Sequence, residues 1–299
     1  MFINHNQMAS NVANTLTSHY GNLQTSTQRL SSGLRVNSAA DDAAGLAIRE
    51  LMRSDIAALN QGVRNANDAI SLLQTADGAL GVIDEKLVRM KELAEQAATG
   101  TYDSTQRLMI ESEYQAMASE ITRIANATDF NNIKLLNGNL SSDDHVGKGG
   151  GESGIESQGK LKVHFGSAND SAEDYYYIQI GTATASALGV GNEASTDAAA
   201  YTVSTQEAAQ KALVGINDAI VSKDKIRAHL GALQNRLENT ITNLTTQAEN
   251  LQAAESRISD VDVATEMTQF VRNQILTQSA VAMLSQANSM PQMAMQLIG

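Results

Sequence analysis

The chain has 299 residues, a formal net charge of −12, one Pro, no Cys and no Trp, and only 4% aromatics. That acidic balance excludes nucleic acid, which needs a basic stripe, and electrostatic adhesion to anionic lipid. The missing cysteines exclude disulfides and thiolate metal sites, and the scarce aromatics point to narrow helix seams of Leu, Ile and Ala.

The first six residues carry no Lys, no Arg and no apolar run, so no cleaved Sec-type signal peptide is expected. No stretch approaches the roughly 18 apolar residues of a membrane span. Charge is absent from both ends. The first charged residue is Arg29 and the last is Arg272, leaving 28 and 27 residues with no formal charge besides His5 and His19. Both ends keep helical apolar spacing. Leu16, Leu23 and Leu30 recur every seven residues, with Tyr20 and Leu34 offset onto the same face, and Val263, Met267, Phe270, Val281 and Leu284 make a comparable stripe. An ordinary surface helix has a charged outer face, whereas Asn, Gln, Ser and Thr fill it here. Such a face can be buried without stranding a charge. Composition alone fits frayed tails equally well; the heptad spacing favours helices that order only in an assembly.

After a loop over Ser31–Ser38, a long helix is predicted from about Asp41 to Ala98, some 85 Å at about 1.5 Å per residue. Leu59, Ala66, Leu73, Leu80, Leu87 and Ala94 are spaced by seven; Ile56, Val63 and Ile70, then Ala76, Ile83 and Met90, read as their partners. The shift between the two partner sets is the drift of a nearly straight helix against a strict heptad. Gly62, Gly78 and Gly81 each weaken it slightly. Asp41-Asp42 reads as a helix cap rather than a catalytic carboxylate pair. A turn at Thr99–Asp103 leads to a second helix, about Ser104 to Ala127, with Ile110, Tyr114, Met117, Ile121 and Ile124 on one face. A short strand from Phe130 is expected to close on an Asn137-Gly138 turn.

The stretch from Leu140 to Ala200 holds ten of the 21 glycines. Nine acidic and three basic residues between Ser141 and Ala200 carry half of the net charge. Lys160–Phe165 and Tyr175–Ile180 alternate as strands of a small exposed β element. Helix resumes near Thr205 and runs to about Ser259. Leu230, Leu237, Leu244, Leu251 and Ile258 form an unbroken heptad, the strongest coiled-coil signal in the chain, with Leu233, Ile241 and Ala248 beside them. The fold class is therefore mainly α: a long antiparallel helical hairpin or coiled-coil rod with paired terminal helices and a small β element in the middle. Its seam is Leu59, Leu73 and Leu80 against Leu230, Leu237, Leu244, Leu251 and Ile258.

No catalytic constellation emerges, so no enzyme, cofactor or metal is expected. None of the five histidines lies in a His-Glu-x-x-His pattern. His145 and His164 flank acidic, Gly-rich sequence, but a metal site needs several ligands in register and solvated loop histidines are the simpler reading. Gly147-Lys-Gly-Gly-Gly151 lacks the spacing and context of a phosphate loop and reads as a linker.

Arg29-Leu-Ser-Ser-Gly-Leu-Arg-Val-Asn-Ser-Ala-Ala-Asp-Asp-Ala-Ala-Gly45 resembles the N-terminal signature of bacterial flagellins, as do Asn65-Ala-Asn-Asp-Ala-Ile70 and Gly78-Ala-Leu. Leu230-Gly-Ala-Leu-Gln-Asn-Arg-Leu237, Asn250–Asp260 and Ala287–Pro291 are similar to that family's closing helices. The resemblance covers about residues 1–140 and 205–299 and leaves no room for large outer domains. It implies three parts: 1–40 with 260–299 as inner tube helices, 41–140 with 201–259 as the rod, and 141–200 as an outward-facing variable segment. Leu16, Tyr20, Leu23, Leu30, Phe270, Val281 and Leu284 would then be assembly positions.

The resemblance further implies a structural subunit, exported unfolded, that polymerises into an extracellular filament for motility. The implied partners are further copies of the chain, the flagellar cap, the hook–filament junction proteins, an export chaperone and the type III export apparatus. Leu87–Ala97 is similar to the flagellin segment seen by the vertebrate flagellin-sensing Toll-like receptor, with Arg89, Leu93 and Glu113 in the contact positions. Lys91 departs from the second Arg often found there, which removes a planar donor fork. A hook–filament junction protein, an enzyme on a flagellin frame and a secreted pore former are competing readings. The Ser31–Gly45 motif, the short middle segment and the missing apolar hairpin disfavour them in turn.

Overall fold

A computed structural model describes residues 6–141, 159–168, 170, 174–191 and 202–298, the last five as backbone. His145, the Gly147–Gly151 run and most of the acidic Gly-rich stretch lie outside the described residues. The chain divides into two compact units, Met1–Ile56 with Ala248–Gly299 and Ala57–Gln247. Its elements in order are α1 (Gln7–Ser32), α2 (Ala43–Ala98), α3 (Ser104–Ala127), β1 (Asp129–Phe130), β2 (Ile133–Lys134), β3 (Leu161–His164), β4 (Tyr175–Ile178), α4 (Gln206–Ser259) and α5 (Val263–Ile298). Mainly α, with a small antiparallel β element, is thus the observed class.

In the first unit α1 pairs with α5. Asn6 caps α1, its Oδ1 accepting the Ala9 amide at 3.0 Å. Gly33 ends the helix in the left-handed region at φ 74°, where a side chain would be strained. The following loop is pinned to the end of α4. The Arg35 amide donates to the Ser259 carbonyl at 2.6 Å, the Val261 amide donates to the Gly33 carbonyl at 3.0 Å, and the Arg35 guanidinium reaches the Ile258 carbonyl. Asp41 Oδ2 gathers the Asn37 amide, the Ser38 amide and the Ser38 hydroxyl. Asp42 Oδ1 accepts the Gly45 amide at 2.9 Å, so this carboxylate caps α2 as its position predicts. Asp262 does the same for α5, accepting the Ala264 and Thr265 amides.

In the second unit the buried face of α2 follows two heptad rows, Leu59, Gly62, Ala66, Ala69, Leu73, Ala76, Leu80, Ile83, Leu87, Met90, Ala94 and Ala97, with Leu72 and Leu93 buried beside them. The partners of Leu59, Ala66 and Leu73 are therefore Gly62, Ala69 and Ala76, not Ile56, Val63 and Ile70, and there is no drift. Small residues are required there because the β3–β4 hairpin crosses the helix. A Cβ on Gly62 would lie 2.0 Å from the Phe165 carbonyl oxygen, and the Asn65 side chain donates to the His164 carbonyl at 2.8 Å. On α3 the inward face is Ile110, Tyr114, Ala118, Ile121 and Ala125. Ala118 and Ala125 replace the expected Met117 and Ile124, which are half-buried.

Two ion pairs clamp α2 to α4. Lys223, buried within the α4 seam, contacts Asp84 at 2.6 Å and Asp224 at 2.7 Å. Burial works against its charge, but the hydrogen bonds to Asp224 and Asp84 outweigh it and hold the ammonium above its ordinary value. Arg227 forks onto Asp77 at 2.7 and 3.2 Å.

Two antiparallel hairpins complete this unit. β1 and β2 turn at Asn131 (φ 50°) and Asn132 (φ 65°), so the tight turn lies six residues before the expected Asn137-Gly138. Asn tolerates the positive φ that a two-residue hairpin turn demands. β3 and β4 pair Leu161 with Ile178 and His164 with Tyr175. Val163, Phe165, Ile178 and Ile180 are buried, so one face of this element belongs to the core rather than to an exposed appendage.

Candidate functional site

The α1/α5 pair has a polar, small-residue seam. The inward positions of α5 are Glu266, Phe270, Asn273, Thr277, Ala280, Leu284 and Ala287, in alternating steps of four and three. On α1 they include Ala9, Val12, Leu16, His19, Leu23, Ser26 and Leu30. Leu16, Leu23, Leu30, Phe270 and Leu284 are thus half-buried along this seam. Tyr20 and Val281 are not on it: they are 53% and 48% exposed. Val263 and Met267 are exposed too, so of the C-terminal stripe read from the sequence only Phe270 and Leu284 are half-buried on the seam.

The apolar side chains that α5 leaves exposed outside its seam are the feature that a seven-residue stripe does not disclose. Met267, Val271, Ile275 and Met283 stand open, Ile275 at 57% and Met283 at 58%. A folded surface seldom leaves so many large apolar side chains in one helix uncovered.

In the other unit, Leu59, Leu73, Leu80, Leu230, Leu237 and Leu244 are all buried. Leu251 and Ile258 lie in the first unit, half-buried.

Arg89 on α2 and Glu113 on α3 do meet. The guanidinium donates to Glu113 Oε1 at 3.0 and 2.7 Å and to Glu92 Oε2 at 2.9 Å. The hydrogen bond to Glu113, then that to Glu92, raises the Arg89 pKa, and the group is a cation at any ordinary pH. Leu93 does not join this patch. It is 2% exposed, turned into the core beneath the pair. Where α3 packs on α2 the buried face widens to include Leu93 beside Met90, Ala94 and Ala97, which a single helix stripe cannot reveal.

Among the described residues no cluster of three potential metal-ligating side chains occurs, and no helix is long and apolar enough to cross a membrane. The His164 ring stacks on Tyr175 with centroids 6.0 Å apart.

Residues 3–141 match the model of the bacterial flagellin N-terminal helical region, and residues 213–298 match that of the C-terminal helical region. The chain is 41% identical over 298 residues to the flagellar filament 33 kDa core protein of Treponema phagedenis, covering all of both chains. It is 42% identical over 314 residues to a flagellin of Bacillus subtilis, again at full coverage of both. Among solved structures, a putative flagellar hook-associated protein from Vibrio parahaemolyticus aligns with a TM-score of 0.55 at 15% identity, over 74% of this chain and 100% of that one. This last likeness is one of fold.

Proposed function

The chain belongs to the bacterial flagellins, structural subunits of the flagellar filament, and from that premise we propose that it is exported unfolded and polymerises outside the cell into a filament for motility. The observation that carries this reading is the set of large apolar side chains that α5 leaves exposed outside its seam. These side chains, on a helix with no formal charge after Arg272, are suited to burial against neighbouring copies. In the polymer, residues 1–40 with 260–299 supply inner tube helices, 41–140 with 201–259 supply the rod, and 141–200 face outward. The flagellar cap, junction proteins, an export chaperone and the type III apparatus are its partners on the way, and the chain has no catalytic role. Removing residues 273–299 should leave a soluble, helical protein that forms no filaments under conditions where the full chain does. Filaments of normal length from the truncated chain, seen by electron microscopy, would overturn the assembly role.

The free monomer is recognised by the vertebrate flagellin-sensing Toll-like receptor. Support comes from the exposed Arg89–Glu113 pair in positions similar to the family's contact residues. Leu93 contributes from beneath, by holding the two helices together, rather than as an exposed contact. Arg89→Ala should reduce potency in a reporter-cell titration about tenfold, the usual cost of losing an interface Arg at ~1–2 kcal/mol. Equal potency of the two monomers would rule out recognition through this patch.

A further inference from the structure

The α1/α5 seam contains few features that distinguish one alignment from the next. Leu16, Leu23 and Leu30 repeat every seven residues and face mostly small or polar positions on α5. Sliding α1 by one heptad would carry each leucine into the place of the next, with little change in apolar burial. A seam of this kind needs polar contacts to choose its register, in the way a single buried polar residue does in coiled coils.

Two such contacts exist, one toward each end of the seam. Glu266 has a side chain only 8% exposed, and the cation beside it is Arg29, at 3.8 Å. The second contact depends on the chain's one proline. Pro291 lies inside α5 and has no amide hydrogen, so the carbonyl of Ala287, four residues earlier, loses its helical donor. The Asn6 side-chain Nδ2 donates to that carbonyl at 2.8 Å, while Oδ1 of the same amide caps α1 through the Ala9 amide. The residue numbers of the two contacts sum to nearly the same value, as one antiparallel alignment requires. A heptad slip would take from Glu266 the one cation that α1 supplies and leave the Ala287 carbonyl without its donor, both costly in a seam.

We propose that Arg29–Glu266 and Asn6–Ala287, the latter created by Pro291, are the register-determining contacts of the terminal helix pair and thereby decide whether a subunit presents an assembly-competent surface. The proposal rests on the filament reading. Arg29 Nε and Glu266 Oε1 have no hydrogen-bond partner among the described residues, and they adjoin a polar cavity of about 450 Å³ lined also by Asn22, Thr25, Ser26, Gln269, Arg272 and Asn273. The pair is therefore loose enough to discriminate by charge rather than by tight packing.

The test uses the full-length chain and its natural lack of cysteine. Replacing the pair by Arg29→Met with Glu266→Met removes the charges while keeping apolar volume, so helix content should persist. Introduced cysteines then read the register. Asn22→Cys with Asn273→Cys reports the native alignment, because both positions line the same cavity; Asn22→Cys with Ala280→Cys reports a slip of one heptad. In the otherwise native chain only the first pair should cross-link with a short thiol reagent. In the double-Met chain both pairs should cross-link, and filament yield should fall at least tenfold. Adding Asn6→Ala should increase the slipped product further. Charge reversal gives a second arm. Arg29→Glu or Glu266→Arg alone should stop filament growth, and the two together should restore at least a tenfold gain over either single variant. Full recovery is not expected, since both reversed charges oppose the helix dipoles. A double-Met chain that cross-links only in the native register and polymerises normally would overturn the proposal, as would a reversed pair no better than its single variants. If the unmodified chain itself forms no filaments, it is the filament reading that fails.

Discussion

The α2/α4 seam of residues 57–247 and the α1/α5 seam share a seven-residue repeat but bury opposite things. In the first, large side chains such as Leu73, Leu80, Leu230 and Leu237 point inward, and the flanks are tied by Lys223–Asp84 and Arg227–Asp77. In the second, Ser26, Asn273, Thr277 and Ala287 share the inward positions with half-buried Leu16, Leu23, Phe270 and Leu284, and other large apolar groups of α5 stay exposed. Burial of apolar area contributes about 25 cal/mol per Å². A seam of leucines therefore stabilises a monomer by itself, whereas a seam of small polar residues leaves most of that contribution to be collected between copies. The same periodicity thus encodes a self-sufficient bundle in one place and an incomplete, association-dependent pair in the other.

The sharpest way to break this comparison is to place one carboxylate in each seam. Leu237 is 1% exposed, and Leu237→Asp should destabilise the monomer by about 3–5 kcal/mol, the range for burying an unpaired charge in place of core volume. A thermal melt followed by circular dichroism should show the main transition moved down by many degrees. Leu284→Asp, on half-buried ground in α5, should leave that main transition within about 1 kcal/mol of the parent while abolishing filaments. If both variants lowered the monomer melt equally, the terminal pair would be as self-sufficient as the bundle.

A smaller effect concerns the glycines of α2. Gly62→Ala forces a Cβ to within 2.0 Å of the Phe165 carbonyl oxygen, so the hairpin must shift. Overpacking of this kind costs about 1–3 kcal/mol, offset by up to ~1 kcal/mol of helix propensity. At Gly78 and Gly81 an added Cβ would meet nothing within 4 Å, and alanine there should stabilise the chain by about 0.5–1 kcal/mol each. Chemical denaturation of the three variants should give opposite signs.

Gly62 also marks the limit of what the sequence discloses. The spans of α2, α3 and α4 were legible to within two residues, because helix period, turn residues and caps are local signals. The heptad partner at 62 was not, since its smallness answers to a hairpin about 100 residues away in the chain, as the Asn65–His164 hydrogen bond shows. The Asn131-Asn132 turn lost to Asn137-Gly138 for a related reason. Asn-Gly is the stronger local turn signal, but the strands that close on each other flank the other pair. At the candidate site, the meeting of Arg89 with Glu113 followed from the family resemblance. The burial of Leu93 did not, because it depends on how α3 broadens the covered face of α2.

The smallest expected effect sharpens the contrast through pH. Arg227 donates two hydrogen bonds to Asp77, and these hold the Asp77 carboxyl below its ordinary value of 3.8. A carboxyl whose pKa is depressed on folding contributes stability above its unfolded pKa and loses it as pH falls through the folded value. The contribution of this pair is therefore intact at neutral pH and declines from about pH 4 downward. Both side chains are more than a third exposed, at 39% and 45%, so solvent screening limits the effect to under ~1 kcal/mol. Asp77→Asn should lower the bundle's melting temperature slightly at pH 7, and the gap from the parent chain should close below the folded-state pKa. Salt should narrow it as well, since the pair faces solvent. A gap that stayed constant from neutral pH into the acid range would show that the amide disturbs packing rather than the ion pair. The α2/α4 seam would then owe nothing to this ion pair, and its difference from the α1/α5 seam would rest on the size of its buried side chains.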